Sequence, residues 1–165
     1  MQLETVPIAK AEMQIRKPVA EVFEAFIDPV ITSRFWFTKG SARLDAQKEV
    51  TWEWEMYNFS VQIRVKELVR NKHLAVEWTG YESPTTIVWK FTELPDNTTF
   101  VSVTNSGFKG EGDHVVKQAL DATEGFAFVL AGAKAFLEHN VELSLVRDRF
   151  PEGLSAASPD EDGSE

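Results

Sequence analysis

Three histidines, His73, His114 and His139, are the side chains best suited by type to hold a metal or carry protons near neutral pH. They have no metal-ligand spacing, and each reads as a surface or helix-end residue. The chain has no cysteine, which removes disulfide frameworks, zinc-cysteine sites, thiol catalysis and iron-sulfur clusters together. It has no nucleophile elbow, P-loop or glycine-rich dinucleotide turn. The polar loop from Gly107 to Gly112, with Glu111, Asp113 and His114 beside it, could place an acid-base pair over an enclosed site. A helix cap and hinge is the favoured reading. Tyr57 and Tyr81 could give a pocket a polar handle, although turn positions account for both. No catalytic residue, metal ligand or cofactor is assigned, and an enzyme is the less favoured class.

The chemistry that the residue types do support is recognition of apolar surface. Aromatic residues make up 12% of the chain, and all five tryptophans fall between positions 36 and 89. Five segments between positions 48 and 104 carry the period-2 alternation of half-buried strands. Val50, Trp52, Trp54 and Met56 share one parity; Val61, Ile63 and Val65 follow, with Ser60, Gln62, Arg64 and Lys66 opposite. Tyr57-Asn58 makes a hairpin of these two segments, with Glu53 and Arg64 close on its outer face. Leu74, Val76 and Trp78 alternate next, then Ile87, Trp89 and Phe91, then Val101 and Val103, with Pro95-Asp96-Asn97 turning between the last two. Short loops imply an antiparallel meander with one apolar face. Further strands are expected at Glu12 to Arg16 and Ser41 to Leu44.

Helices are expected at both ends. Pro18 suits the first turn of a short helix to about Phe26, and Asp28-Pro29 opens a second through about Phe35. A long helix is expected from Asp113 as N-cap to about Asn140. At 100 degrees per residue, Val115, Ala119, Ala122, Phe126, Val129, Ala133 and Leu137 form one band, widened by Leu130 and Thr123. Lys117, Asp121, Glu124 and Ala135 lie opposite. Phe128 projects onto that polar face, a candidate contact for a homodimer or protein partner. Gly125 and Gly132 flank the band and each costs about 1 kcal/mol against alanine. Close packing against the first helices is the favoured reason, and room for a ligand is the alternative. One wide apolar helix face requires one large apolar sheet to cover.

The run Pro18-Val19-Ala20-Glu21-Val22-Phe23-Glu24-Ala25-Phe26, then Asp28-Pro29 followed by Trp36-Phe37, then Glu124-Gly125-Phe126 with Leu130 and Phe136-Leu137-Glu138, resembles the START-like (SRPBCC) superfamily. Within it, the chain is similar to the group named after the activator of heat shock protein 90 ATPase. The resemblance covers about Glu12 to Val141. Phe126 replaces the usual tryptophan, and Gly132 and Ala133 stand where leucine is common. What it implies is an α+β helix-grip (Bet v 1-like) fold. A curved antiparallel sheet wraps a long C-terminal helix, two short helices follow strand one, and an apolar cavity holds a hydrophobic small molecule. The candidate lining is Trp52, Trp54, Ile63, Trp78, Trp89 and Phe91 on the sheet and Ala122, Phe126, Val129 and Leu130 on the helix. Phe23, Phe26, Phe35 and Trp36 are expected near a mouth.

A chain of 165 residues suits one domain, expected over residues 1–150. The tail, residues 151–165, carries Glu152, Asp160, Glu161, Asp162 and Glu165 with no Lys or Arg, and is expected to be disordered. Five of the nine net negative charges lie there, so the body is mildly acidic, and nucleic acid is not an expected partner. Met1 to Lys10 lacks a signal peptide's apolar run, and Phe126 to Ala133, the longest uncharged apolar run, is too short for a membrane span. A cytoplasmic protein is expected. Three functions follow: binding of a lipid-like or aromatic molecule, favoured; a small cyclase, aromatase or hydrolase using the same cavity; and a cochaperone-like stimulator of a chaperone ATPase.

Overall fold

A computed structural model describes residues 3–79 and 83–151. The alternating segments become β1 (Ala9–Ile15), β2 (Lys39–Gly40), β3 (Glu49–Trp54), β4 (Phe59–Val69), β5 (His73–Trp78), β6 (Thr85–Glu93) and β7 (Thr99–Ser106). They form one antiparallel sheet in the order β1-β7-β6-β5-β4-β3-β2. From β3 onward each strand pairs with the next, as short connections dictate. The first strand crosses to close the far edge beside the last. A register shift between Val65 and Glu67 marks an irregularity in the β4–β5 pairing.

The helices are α1 (Val19–Ile27), α2 (Pro29–Thr32), α3 (Gly112–His139) and α4 (Leu145–Arg149). Pro18 is the N-cap of α1, and Asp28 caps α2 by accepting the Val30 N–H at 3.0 Å. The long helix α3 lays the expected band on the sheet. Val115, Ala119, Ala122, Phe126, Val129, Leu130 and Ala133 are buried, and Leu137 is half-buried. This is the helix-grip arrangement. No helix among the described residues is long and apolar enough to cross a membrane.

Four expectations are corrected. Ser41 to Leu44 is not a strand: β2 ends at Gly40, and the Leu44 N–H bonds the Ile27 carbonyl at 3.1 Å, docking the loop on α1. The second short helix stops at Thr32, so Phe35 and Trp36 lie in the turn beyond it. Glu111, not Asp113, is the N-cap of α3. Glu53 faces Ser60, and Arg64 pairs instead with Glu49 at 3.5 Å, because the β3–β4 connection is a 3-10 turn (Glu55–Tyr57) completed by Asn58 with φ 49°. The acidic tail from Glu152 onward and Tyr81 lie outside the described residues.

Candidate functional site

Between the sheet and α3 the aromatic side chains form one connected cluster with Trp36 at its centre. Its ring lies 4.8 Å from Trp52, 6.1 Å from Trp54, 6.0 Å from Trp78, 6.0 Å from Trp89 and 5.8 Å from Phe126. Trp78 closes the circuit against Trp54 and Phe126, both at 6.2 Å. A second arm runs from Trp89 through Phe26 to Phe35, and through Phe91 to Phe23, at centroid distances of 5.1 to 5.9 Å. Most of these pairs are tilted or edge-to-face, the geometries that ring quadrupoles favour. All the aromatic candidates therefore meet in one place. Ile63, Ala122, Val129 and Leu130 are buried beside them, and Ile63 is opposite Trp78 in register.

Phe23 and Phe26, expected near a mouth, are buried, as are Phe35 and Trp36. Phe37 was not anticipated: it stacks on Trp52 at 4.9 Å with the planes 26° apart. In the turn after α2 neither a helical nor a strand period applies, so consecutive residues can both point inward. Gly132 lets that turn approach α3. A Cβ built there would lie 3.2 Å from Phe35 Cβ and 3.3 Å from its carbonyl oxygen. Gly125 has nothing within 4 Å of such a Cβ, so only Gly132 follows the close-packing expectation.

The inner face is not wholly apolar. Thr85 and Asn105, 2% and 0% exposed, continue the inward parities of Ile87-Trp89-Phe91 and Val101-Val103. Asn105 Nδ2 donates to Thr85 Oγ1 at 2.9 Å and to the Thr86 carbonyl at 3.0 Å. Thr85 faces Trp78 in register, so the three residues share one end of the sheet. Four buried side-chain polar atoms have no hydrogen-bond partner among the described residues: His73 Nδ1, Trp78 Nε1, Trp89 Nε1 and Asn105 Oδ1. His73 Nδ1 still sits 2.7 Å from the Glu67 carboxylate. The other three belong to the inner face. Burying a polar group without a partner costs about 1–3 kcal/mol, so each of the three calls for a partner from outside the protein, a water or a ligand atom. Thr85 and Asn105 could have been found by extending each strand's parity past its last apolar residue.

Most charged side chains lie at the periphery. Among the described residues the buried polar ones are Thr32, Thr85, Thr98, Thr99, Asn105 and Gln118, none of them an acid or base. Arg43 donates to both Glu24 oxygens at 2.6 and 3.0 Å and to Asp45 at 3.0 Å, which holds both carboxyls below their usual range. Burial pushes the Glu138 carboxyl up, but hydrogen bonds from Lys134 at 2.7 Å and the Arg16 N–H at 2.8 Å outweigh it and leave it lowered. Lys134 also donates to the Gln14 carbonyl at 2.8 Å, tying α3 to β1. The Tyr57 hydroxyl, offered above as a pocket handle, points elsewhere. Its one proton is shared between the Val146 carbonyl and that of Arg147 at 3.0 Å, and burial raises its pKa. Arg149 of α4 pairs with Glu124 of α3, so α4 bridges the long helix and the β3–β4 turn.

His73 begins β5, and His114 and His139 lie at opposite ends of α3. Among the described residues no three of His, Asp and Glu group to hold a metal ion. In the loop before α3, Gln118 Nε2 donates to the Lys109 carbonyl at 3.1 Å, and Gly110, at φ 127°, lies against His114.

The sequence matches the model of the family described as Activator of Hsp90 ATPase homolog 1-like protein over residues 16–138. The chain belongs to that family. Among solved structures it is similar to protein SSP2350 from Staphylococcus saprophyticus, with 31% identity, a TM-score of 0.71, and 83% of this chain and 96% of that one covered. It shares its fold with DynU16, a protein of the dynemicin biosynthetic locus, at 18% identity and a TM-score of 0.70, covering 82% of this chain and 48% of that one. The Aha1 dimer from Colwellia psychrerythraea matches at 18% identity and 0.66, covering 81% and 97%. No curated protein matches the chain.

Proposed function

We propose that this member of the family binds a hydrophobic small molecule between the inner sheet face and α3. The observation that carries the proposal is the set of unpartnered buried polar atoms, Trp78 Nε1, Trp89 Nε1 and Asn105 Oδ1, on an otherwise aromatic inner face. An apolar surface with a few polar groups is how small-molecule sites are lined. Catalysis by the same interior is less well supported, since the buried polar side chains among the described residues include no acid or base. Stimulation of the Hsp90 ATPase is named in the family description, and no side chain here favours it over ligand binding. A cysteine-free chain suits a reducing, cytoplasmic setting.

The test is titration with a hydrophobic compound library, read by tryptophan fluorescence and by the five indole N–H signals in two-dimensional NMR. Binding moves the Trp78 and Trp89 signals first. If no compound moves any indole signal, the proposal fails. A second reading, self-association through the outer face of α3, is favoured by Leu120, which is 65% exposed.

A further inference from the structure

We infer that Asn105 is a specificity-determining anchor that selects uncharged ligands carrying a hydrogen-bond donor, such as a hydroxyl on a flat aromatic frame. The inference rests on the binding proposal and gives that site a polarity. The orientation of the Asn105 amide is set by its neighbours. The Thr86 carbonyl at 3.0 Å can only accept, so the amide nitrogen must face β6, where it also donates to Thr85 Oγ1 at 2.9 Å. Both amide protons are then in use. Oδ1 is left as a fixed acceptor on a side chain that is 0% exposed, with no donor among the described residues. Only a group with an N–H or O–H can complete it.

The sign of the ligand's charge follows from what surrounds it. Among the described residues no Lys, Arg or His is wholly buried, and His73 lies on the opposite parity of β5 from Trp78. A carboxylate drawn into this interior would lose its hydration against an acceptor oxygen and tryptophan rings, without a cation to replace it. A neutral donor loses far less. Trp78, opposite Thr85 in register, has an Nε1–H that is likewise without a partner among the described residues.

The experiment compares 2-naphthol, 2-methoxynaphthalene and 2-naphthoate, which share one ring system and differ in donor and charge. Each is titrated at pH 7 into the full chain and into Asn105→Leu, by tryptophan fluorescence and NMR. In the wild type, 2-naphthol is expected to bind about tenfold more tightly than the methoxy compound, and naphthoate more weakly still. The Asn105 side-chain amide signals should shift only with naphthol. In Asn105→Leu the naphthol preference should fall to within about twofold. Equal wild-type affinities for naphthol and methoxynaphthalene, as expected if Oδ1 only holds a water, would overturn the inference and leave the binding proposal standing. So would naphthoate binding most tightly, or a naphthol preference that persists in Asn105→Leu. Absence of binding by all three would overturn the inference together with the aromatic-ligand reading on which it rests. If Asn105→Leu does not fold, the wild-type ranking and the Asn105 amide shifts decide alone.

Discussion

Gly125 and Gly132 carry the same intrinsic helix penalty, so replacing each with alanine isolates the packing at each site. At Gly125 an added Cβ meets nothing within 4 Å, and the substitution should stabilise by about 1 kcal/mol through helix propensity alone. At Gly132 the same gain is opposed. The new Cβ would lie 3.2 Å from Phe35 Cβ and 3.3 Å from the Phe35 carbonyl oxygen. Neither gives way easily, because the Phe35 N–H is bonded to the Thr32 carbonyl at 3.1 Å and its ring packs 5.4 Å from Phe26. Overpacking of this kind costs about 1–3 kcal/mol, so Gly132→Ala should be less stable than Gly125→Ala by about that amount. For a domain of this size that is about 2–12 °C between the two melting temperatures. Thermal unfolding followed by circular dichroism, checked by urea denaturation, measures the difference. Equal stabilisation by both substitutions would show that Phe35 and the turn after α2 are free to move, and that Gly132 is not there for close packing.

Trp36→Ala removes the ring at the centre of the cluster and should cost about 3–5 kcal/mol, read by chemical denaturation, with loss of near-ultraviolet dichroism from the four tryptophans it touches. Tyr57→Phe deletes the hydroxyl that binds the Val146 and Arg147 carbonyls; amide exchange across α4 should quicken while global stability falls by no more than about 1.5 kcal/mol. Glu138→Gln tests the lowered carboxyl. A folded pKa below the ordinary 4.5 means that its stabilisation is present above that pH and is lost as pH falls through the folded value. The melting-temperature gap to wild type should therefore be widest near pH 7 and close in acid. Phe128 is half-buried rather than fully exposed, so Phe128→Ser should cost some stability without abolishing folding and should weaken any self-association seen by sedimentation; unchanged self-association would contradict a contact role for that ring.

The inner face of the sheet was legible because period-2 alternation maps directly onto burial. Val50, Trp52 and Trp54, then Ile87, Trp89 and Phe91, occupy the face their parity assigns. The same rule reaches Thr85 and Asn105, but alternation scored on apolar residues stops one position short of each. Phe37 and Leu44 were hidden for a different reason. Both lie in segments with no period, where burial is decided by what docks on them: Trp52 stacks on Phe37, and α1 receives the loop of Leu44. The partner of Arg64 depended on the length of the β3–β4 connection, since four residues from Glu55 to Asn58 replace a two-residue turn. The family resemblance supplied the helix-grip architecture, whereas the place of β1 at the edge beside β7 is read from the strand pairing itself. Which polar atoms lack partners is a property of the packed structure, and no pattern in the sequence carries it.

The most direct measurement of the central claim is a crystal structure of the full chain purified from its host without added ligand or detergent. Density of a bound molecule is expected beside Asn105 and Trp78, with one polar atom about 3 Å from Asn105 Oδ1. No such density, with Asn105 Oδ1 and both tryptophan Nε1 atoms bonded to protein groups or single waters, would contradict it.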